Sequence, residues 1–263
     1  MTARRRIPVE TVQSILLLVG LLATWEFAVA WFDVSPILLP APSAVAVSLF
    51  NGLKSGLLIK HFGVTFFETI VGFLLGSLAG LLCGGLIAQS RAIERLLYPY
   101  VIAFQTVPKV AIAPLIVIWF GYGLASKVVI AATLAFFPVL ANTIVGLRSV
   151  PAEHLELMAA FMSTRHQTLW KVRVPQALPF ILVGLDVGAV LAVTGAVVGE
   201  FVSAKEGLGF QILQSGFSLD TAGVFAALVL LAVMGIAIHL AMGLLRKKIL
   251  YWVDEVSPIN FSG

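Results

Sequence analysis

Three ionisable residues, Lys109, Asp186 and Glu200, fall within or at the edge of long apolar runs of a 263-residue chain. A charge placed in hydrocarbon is costly, about 3 kcal/mol on insertion scales, so such residues pair, face water or carry ions. Lys109 follows Pro108, which frees a backbone carbonyl and favours a kink. A cation beside exposed backbone can attract an anion such as a sulfonate, a nitrate or a carboxylate. It can equally form an ion pair, and Asp186 is the expected partner. Each lies about ten residues from the same end of its span, a depth of about 15 Å. Gln105, Thr106 and Asn142 either line a polar path or make interhelical hydrogen bonds, worth about 0.6 kcal/mol each. Glu26, Glu68 and Glu200 lie towards the opposite span ends and are expected to reach water. Glu200, just before Gly207 and Gly209, has a gate as its other reading. His239 has no Cys, Asp or second His near it in sequence, which argues against a metal site. Lys109, Asp186 and Glu200 used together would describe an ion-gradient-driven secondary carrier. Such carriers often show internal repeats, and none is evident.

Other chemistry is excluded more firmly. No G-x-x-x-x-G-K-[ST] phosphate loop is present, so the chain is not expected to hydrolyse ATP. No G-x-S-x-G or H-E-x-x-H motif appears. The single cysteine, Cys83, rules out an intramolecular disulfide and a Cys-cluster metal site. No cofactor bound by the chain is expected.

The elements that position these residues are membrane helices. The chain is 60% hydrophobic and only 11% charged, against about 25% charged in a soluble domain. Six spans are read, near 13–32, 65–88, 97–120, 127–145, 178–204 and 222–245. They are too long and too uniformly apolar for barrel strands. The spacing of Gly76, Gly80 and Gly84 fits a close helix contact. Arg4, Arg5, Arg6, Arg91, Arg95, Arg148, Arg165, Lys171, Arg173, Arg246, Lys247 and Lys248 fall on one side, twelve of the 17 basic residues. Lys54, Lys60, Lys127 and Lys205 fall on the other. The positive-inside rule then places both termini in the cytoplasm. The net charge of +4 reads as a topology signal, not a nucleic-acid surface. The expected organisation is a tail, 1–12, a membrane domain, 13–245, and a second tail, 246–263. Arg4–Arg6 with Ala28-Val-Ala30 superficially fit a secretory signal. A retained span is the better fit, because its apolar stretch is long and its removal would leave a conflicting topology.

The segment 149–175 interrupts the apolar runs. Ser149 can cap a helix, Pro151 suits its first turn and Glu153 suits its positive end. Leu155, Met158, Ala159 and Met162 form an apolar face at i, i+3, i+4 and i+7. Glu153 and Glu156 lie beside it. Arg165, His166, Lys171 and Arg173 form a basic patch, and Pro175 and Pro179 are expected to break the chain before the fifth span. Such a helix can lie on lipid headgroups or dock in a protein groove. Its acidic flank matches the groove better.

This segment resembles the EAA signature of ATP-binding-cassette (ABC) importer permeases, E-A-A, three residues, G, nine residues, I-x-L-P. Glu156 matches the Glu, Val172 and Val174 stand for Ile and Leu, and Pro175 matches the Pro. Leu157 and Met158 replace the alanines. Met162 replaces the glycine, which in the family lies at a turn between two short helices. A methionine does not take positive φ cheaply, so regular helix is expected here, with Ser163 or Thr164 absorbing the bend, or altered coupling. Leu39-Pro-Ala-Pro-Ser43, Pro108-Lys-Val-Ala-Ile-Ala-Pro-Leu115, Trp119-Phe-Gly-Tyr-Gly123, Phe136-Phe-Pro138 and Glu200 with Gly207-Leu-Gly209 are similar to the nitrate/sulfonate/taurine-type permeases. The resemblance covers roughly residues 36–250. Glu68 and Asp186 depart from it, since similar permeases often carry arginine there.

The resemblance implies an all-α, six-span, MetI-like fold in a bacterial inner membrane. It implies a homodimer with one path between two copies, a cytoplasmic ABC ATPase dimer carrying ATP and Mg, and an extracytoplasmic solute-binding protein. It assigns ATPase coupling to Glu153, Glu156, Ala159, Ala160, Met162, Arg165 and Pro175. It suggests a small anion such as a sulfonate, taurine or nitrate as solute, while similar permeases also serve vitamin precursors and aromatic acids. No nucleic-acid partner is implied, and lipid surrounds the spans.

Overall fold

The computed structural model describes residues 9–252. The expected tail around Arg4–Arg6 and the tail beyond Trp252 lie outside them. All regular structure there is helical. The elements are α1 (Val9–Trp31), α2 (Pro42–Lys54), α3 (Leu57–Ala88), α4 (Arg91–Thr106), α5 (Lys109–Phe120), α6 (Leu124–Arg148), α7 (Ala152–Ala160), α8 (Arg165–Thr168), α9 (Val174–Ser203), α10 (Leu208–Phe217) and α11 (Thr221–Ile249). Five stretches are long and apolar enough to span a membrane, and α4 with α5 makes a sixth if counted as one broken span.

α6 is the central helix, packed between α3 and α9. Glycines make this possible. A Cβ on Gly80 of α3 would lie 2.8 Å from the Phe136 carbonyl, and one on Gly84 2.8 Å from Thr143 Cβ. On α9 a Cβ at Gly195 would lie 2.6 Å from Ala131 Cα. Backbones this close gain dispersion contacts that larger side chains would prevent.

The third expected span is broken, not merely kinked. Pro108 has no amide to donate, and a residue before proline is pushed out of the helical region. Val107 accordingly sits at φ −67°, ψ 127°. α4 and α5 meet at 94°, and Lys109 is the first residue of α5 rather than the middle of a span. The opposite correction applies at Pro175. A π turn, Leu169–Arg173, precedes it, and the Val174 amide bonds back to the Leu169 carbonyl. The shifted pairing absorbs the missing proline donor, so helix runs continuously from Arg165 to Ser203. Pro179 is likewise carried inside α9.

Candidate functional site

α7 carries the expected coupling residues. Its N-cap is Pro151, not Ser149, whose hydroxyl instead donates to the Gly146 carbonyl at the end of α6. Glu153, Glu156, Leu157, Ala160 and Phe161 are exposed, while Leu155 and Met158 are half-buried. The helix ends in a Schellman turn. Ser163 N–H donates to the Met158 carbonyl (3.0 Å) and Met162 N–H to the Ala159 carbonyl (2.9 Å). Met162 therefore takes φ 52°, which corrects the expectation that a methionine would not occupy this conformation. The two hydrogen bonds satisfy carbonyls left over at the helix end and hold Met162 left-handed. Its side chain is 93% exposed. Thr164 and Gln167 then form a capping box that starts α8. Arg165 opens α8, and Pro175 lies in the first turn of α9.

Around the α4–α5 break the structure brings together Gln105, Thr106 and Lys109. They line a cavity of about 520 Å3 with Phe137, Pro138 and Leu191. Lys109 Nζ donates to the Gln105 carbonyl (3.1 Å) and sits 4.9 Å from the centre of the Phe137 ring. It does not pair with Asp186. Asp186 Oδ1 instead lies 2.9 Å from His239 Nδ1, on α11. The expected ion pair is thus replaced by a different one, and His239 does have an aspartate neighbour. Asn142 bonds to the Pro138 carbonyl (2.8 Å), one turn back on α6, and is absent from the cavity lining.

The opposite end of the bundle holds a buried polar cluster. Glu68 is 0% exposed and Glu200 1%, so neither reaches water as expected. Lys127, counted with the external basic residues at the start of the fourth span, is buried and ion-paired with Glu68. Glu200 accepts from Thr65 Oγ1 (2.6 Å) and from the Gly209 amide (2.5 Å). Thr65 Oγ1 also accepts from Leu208 N–H (2.8 Å), and His61 Nδ1 accepts from Gly207 N–H (2.9 Å). Three successive amides at the start of α10 are therefore capped by side chains of α3 and α9. This is how a buried helix start satisfies its orphan donors. Gly207, at φ 118°, leaves room for the Glu200 carboxylate, which a Cβ there would strike. Beyond the end of α9, Glu206 accepts from Lys60 of α3 (2.6 Å). The hydrogen bond, then the lysine charge, hold the Glu206 carboxyl below its usual range. Glu26, by contrast, is partly exposed and accepts from Ser43 N–H and Oγ, tying α1 to the start of α2. His61, Thr65 and Lys127 were not among the sequence candidates. The i, i+4, i+7 spacing of His61, Thr65 and Glu68 in an apolar run was the available signal.

Lys109, Asp186 and Glu200 occupy three separate settings, which removes the common ion site a carrier would need. Comparison with known proteins agrees. The chain is 40% identical over 232 residues to the riboflavin transport system permease protein RibX of Chloroflexus aurantiacus, covering 88% of this chain and 87% of that one. It is 29% identical over 248 residues to the taurine transport system permease protein TauC of Escherichia coli, covering 92% and 90%. The inward-facing MetNI methionine ABC transporter contains a chain of the same fold, with TM-score 0.67 and 23% identity, covering 74% of this chain and 97% of that one. Residues 72–251 match the binding-protein-dependent transport system inner membrane components. The chain belongs to that family and is a multi-pass membrane permease subunit of an ABC importer for a small solute, not itself an enzyme.

Proposed function

We propose that α7 is the coupling helix through which a separate ATPase drives this permease. The observation that carries this is its terminus: an exposed acidic face ends in a left-handed turn at the position of the family's signature glycine. The α7 end is read as cytoplasmic from the distribution of basic residues. Glu153, Glu156, Ala159, Ala160, Met162 and Arg165 would sit in or beside a groove on each ATPase, with Pro175 fixing the start of α9. ATP and Mg belong to that partner. Two copies of this chain would enclose one path, and a solute-binding protein would deliver solute at the α10 end. The ATPase works only if it binds two permease states with different affinity, and α7 is the element it can pull.

The solute is proposed to be a small anion such as a sulfonate, taurine or nitrate. Lys109 supports this: it lines the cavity at the broken span beside the amide end of α5, where no carboxylate among the described residues pairs with it. A helix start adds a favourable partial charge for an anion. The test is uptake into vesicles holding permease, ATPase and binding protein. ATP-dependent uptake that survives collapse of ion gradients supports the reading. Lys109→Gln should lower uptake of an anionic solute about tenfold, roughly the loss of one charge-assisted contact. Gradient-driven uptake without ATP would overturn it.

A further inference from the structure

Two adjoining cavities at the α7 end, of about 590 and 760 Å3, share Gln89, Leu155 and Arg173. Arg95 and Arg148 also line the first, and Arg165 and His166 the second. Among the described residues, no carboxylate lines either. Arg148 already donates to the Ser90 carbonyl (3.4 Å). Among the described residues, no ion pair engages Arg95, Arg165 or Arg173.

The position is as informative as the charge. Ala152, Leu155 and Ala159 form the α7 wall, whereas Glu153, Glu156, Leu157, Phe161 and Met162 take no part. The pocket therefore lies along the Leu155–Ala159 edge of the coupling helix, beside its acidic face rather than on it. Its other walls are the Gln89–Ser90 turn closing α3 and the π turn that precedes α9, at Leu169 and Arg173, close to the ends of two apolar helices. The ends of membrane-spanning helices meet the lipid headgroups. A concave surface of one sign focuses its field, and guanidinium forks match phosphate oxygens in pairs.

We propose that this basic pocket binds a phosphate group, either the phosphodiester of an anionic phospholipid or free phosphate, between the α3–α4 turn and the Leu155–Ala159 edge of α7. A bound phosphate would bridge α7 to the ends of α3 and α9, so that movement of the coupling helix is transmitted to the spans. The orientation reading decides only which leaflet supplies the lipid.

The test uses the purified permease without ATPase, so its failure leaves the coupling reading untouched. Wild type and Arg95→Gln/Arg173→Gln are placed in phosphatidylcholine nanodiscs, with or without phosphatidylglycerol. Retained lipid is counted by native mass spectrometry, and the unfolding midpoint is measured. Inorganic phosphate is titrated into the phosphatidylcholine sample. Phosphatidylglycerol should be retained and should raise the wild-type midpoint, with binding about fivefold weaker for each arginine removed. The same arginine-dependent shift from inorganic phosphate alone assigns the site to free phosphate. Arg165→Gln, at an exposed position, replaces the double variant if that does not fold. Equal retention and equal midpoints in wild type and variants, with no phosphate effect, overturn the proposal.

Discussion

Ser163 donates its amide to the Met158 carbonyl at 3.0 Å, closing a helix end over a methionine at φ 52°. The hydrogen-bond pair selects the left-handed conformation at residue 162, and the side chain must tolerate it. A left-handed non-glycine residue costs about 1–2 kcal/mol. Met162→Gly should therefore keep the turn and raise the unfolding midpoint, by about 1 kcal/mol of stability less the chain entropy that glycine adds. Met162→Pro should remove the amide bonded to Ala159 and cannot reach positive φ, so ATPase contact should fall. Both are read by thermal unfolding and by co-purification with ATPase. A lower midpoint in the glycine variant would contradict the strain.

Glu200 and Thr65 hold α10 by its first amides. Glu200→Ala should leave the buried Gly209 amide without an acceptor, at about 1–3 kcal/mol, while the Thr65 hydroxyl falls back on the His61 carbonyl at 3.2 Å. Cysteines placed on α10 should then label faster, while co-purification of the ATPase through α7 is unchanged. Unchanged labelling would show that packing alone fixes α10.

Lys127 and Glu68 form a buried pair, and breaking one side of such a pair costs about 3–5 kcal/mol. Lys127→Met should lower folded yield, and Glu68→Gln added to it should restore much of the loss. Yields that fall further in the double variant would count against the pair.

Asp186 and His239 should couple in a double-mutant cycle, whereas Lys109 and Asp186 should be additive. Unfolding midpoints of Asp186→Asn, His239→Gln, Lys109→Gln and the pairwise combinations decide this. A larger coupling between Lys109 and Asp186 would restore the pairing expected from sequence.

Gly80 approaches the Phe136 carbonyl of α6, where a Cβ would lie 2.8 Å away. Gly80→Leu should separate α3 from α6 and lower folded yield more than Gly20→Leu, where nothing lies within 4 Å of the added Cβ. Equal yields would argue against the close contact.

The spans and their close contacts were legible because hydropathy and the spacing of Gly76, Gly80 and Gly84 are local signals. So was the short helix around Glu156, from the spacing of Leu155, Met158 and Ala159. The partner of Lys109 was not legible. Asp186 matched it in depth, but depth along two helices says nothing about which faces meet, and α11 brings His239 to Asp186 instead. Glu68 and Glu200 were misread for a related reason. Their positions near span ends suggested water, while α10 folds back and covers them, and Lys127 supplies a charge that loop counting had placed outside. Met162 went the other way because intrinsic preference was overridden by two backbone hydrogen bonds.

The central claim is that α7 is gripped by a separate ATPase. The most direct test is affinity capture of the chain from its native membrane in mild detergent, with mass spectrometry of co-purifying proteins, for wild type and Glu156→Ala. The expected result is a P-loop ATPase with the wild type and its loss with the variant, at equal permease recovery. An ATPase retained equally by both, or a permease recovered without one, would contradict the assignment of α7.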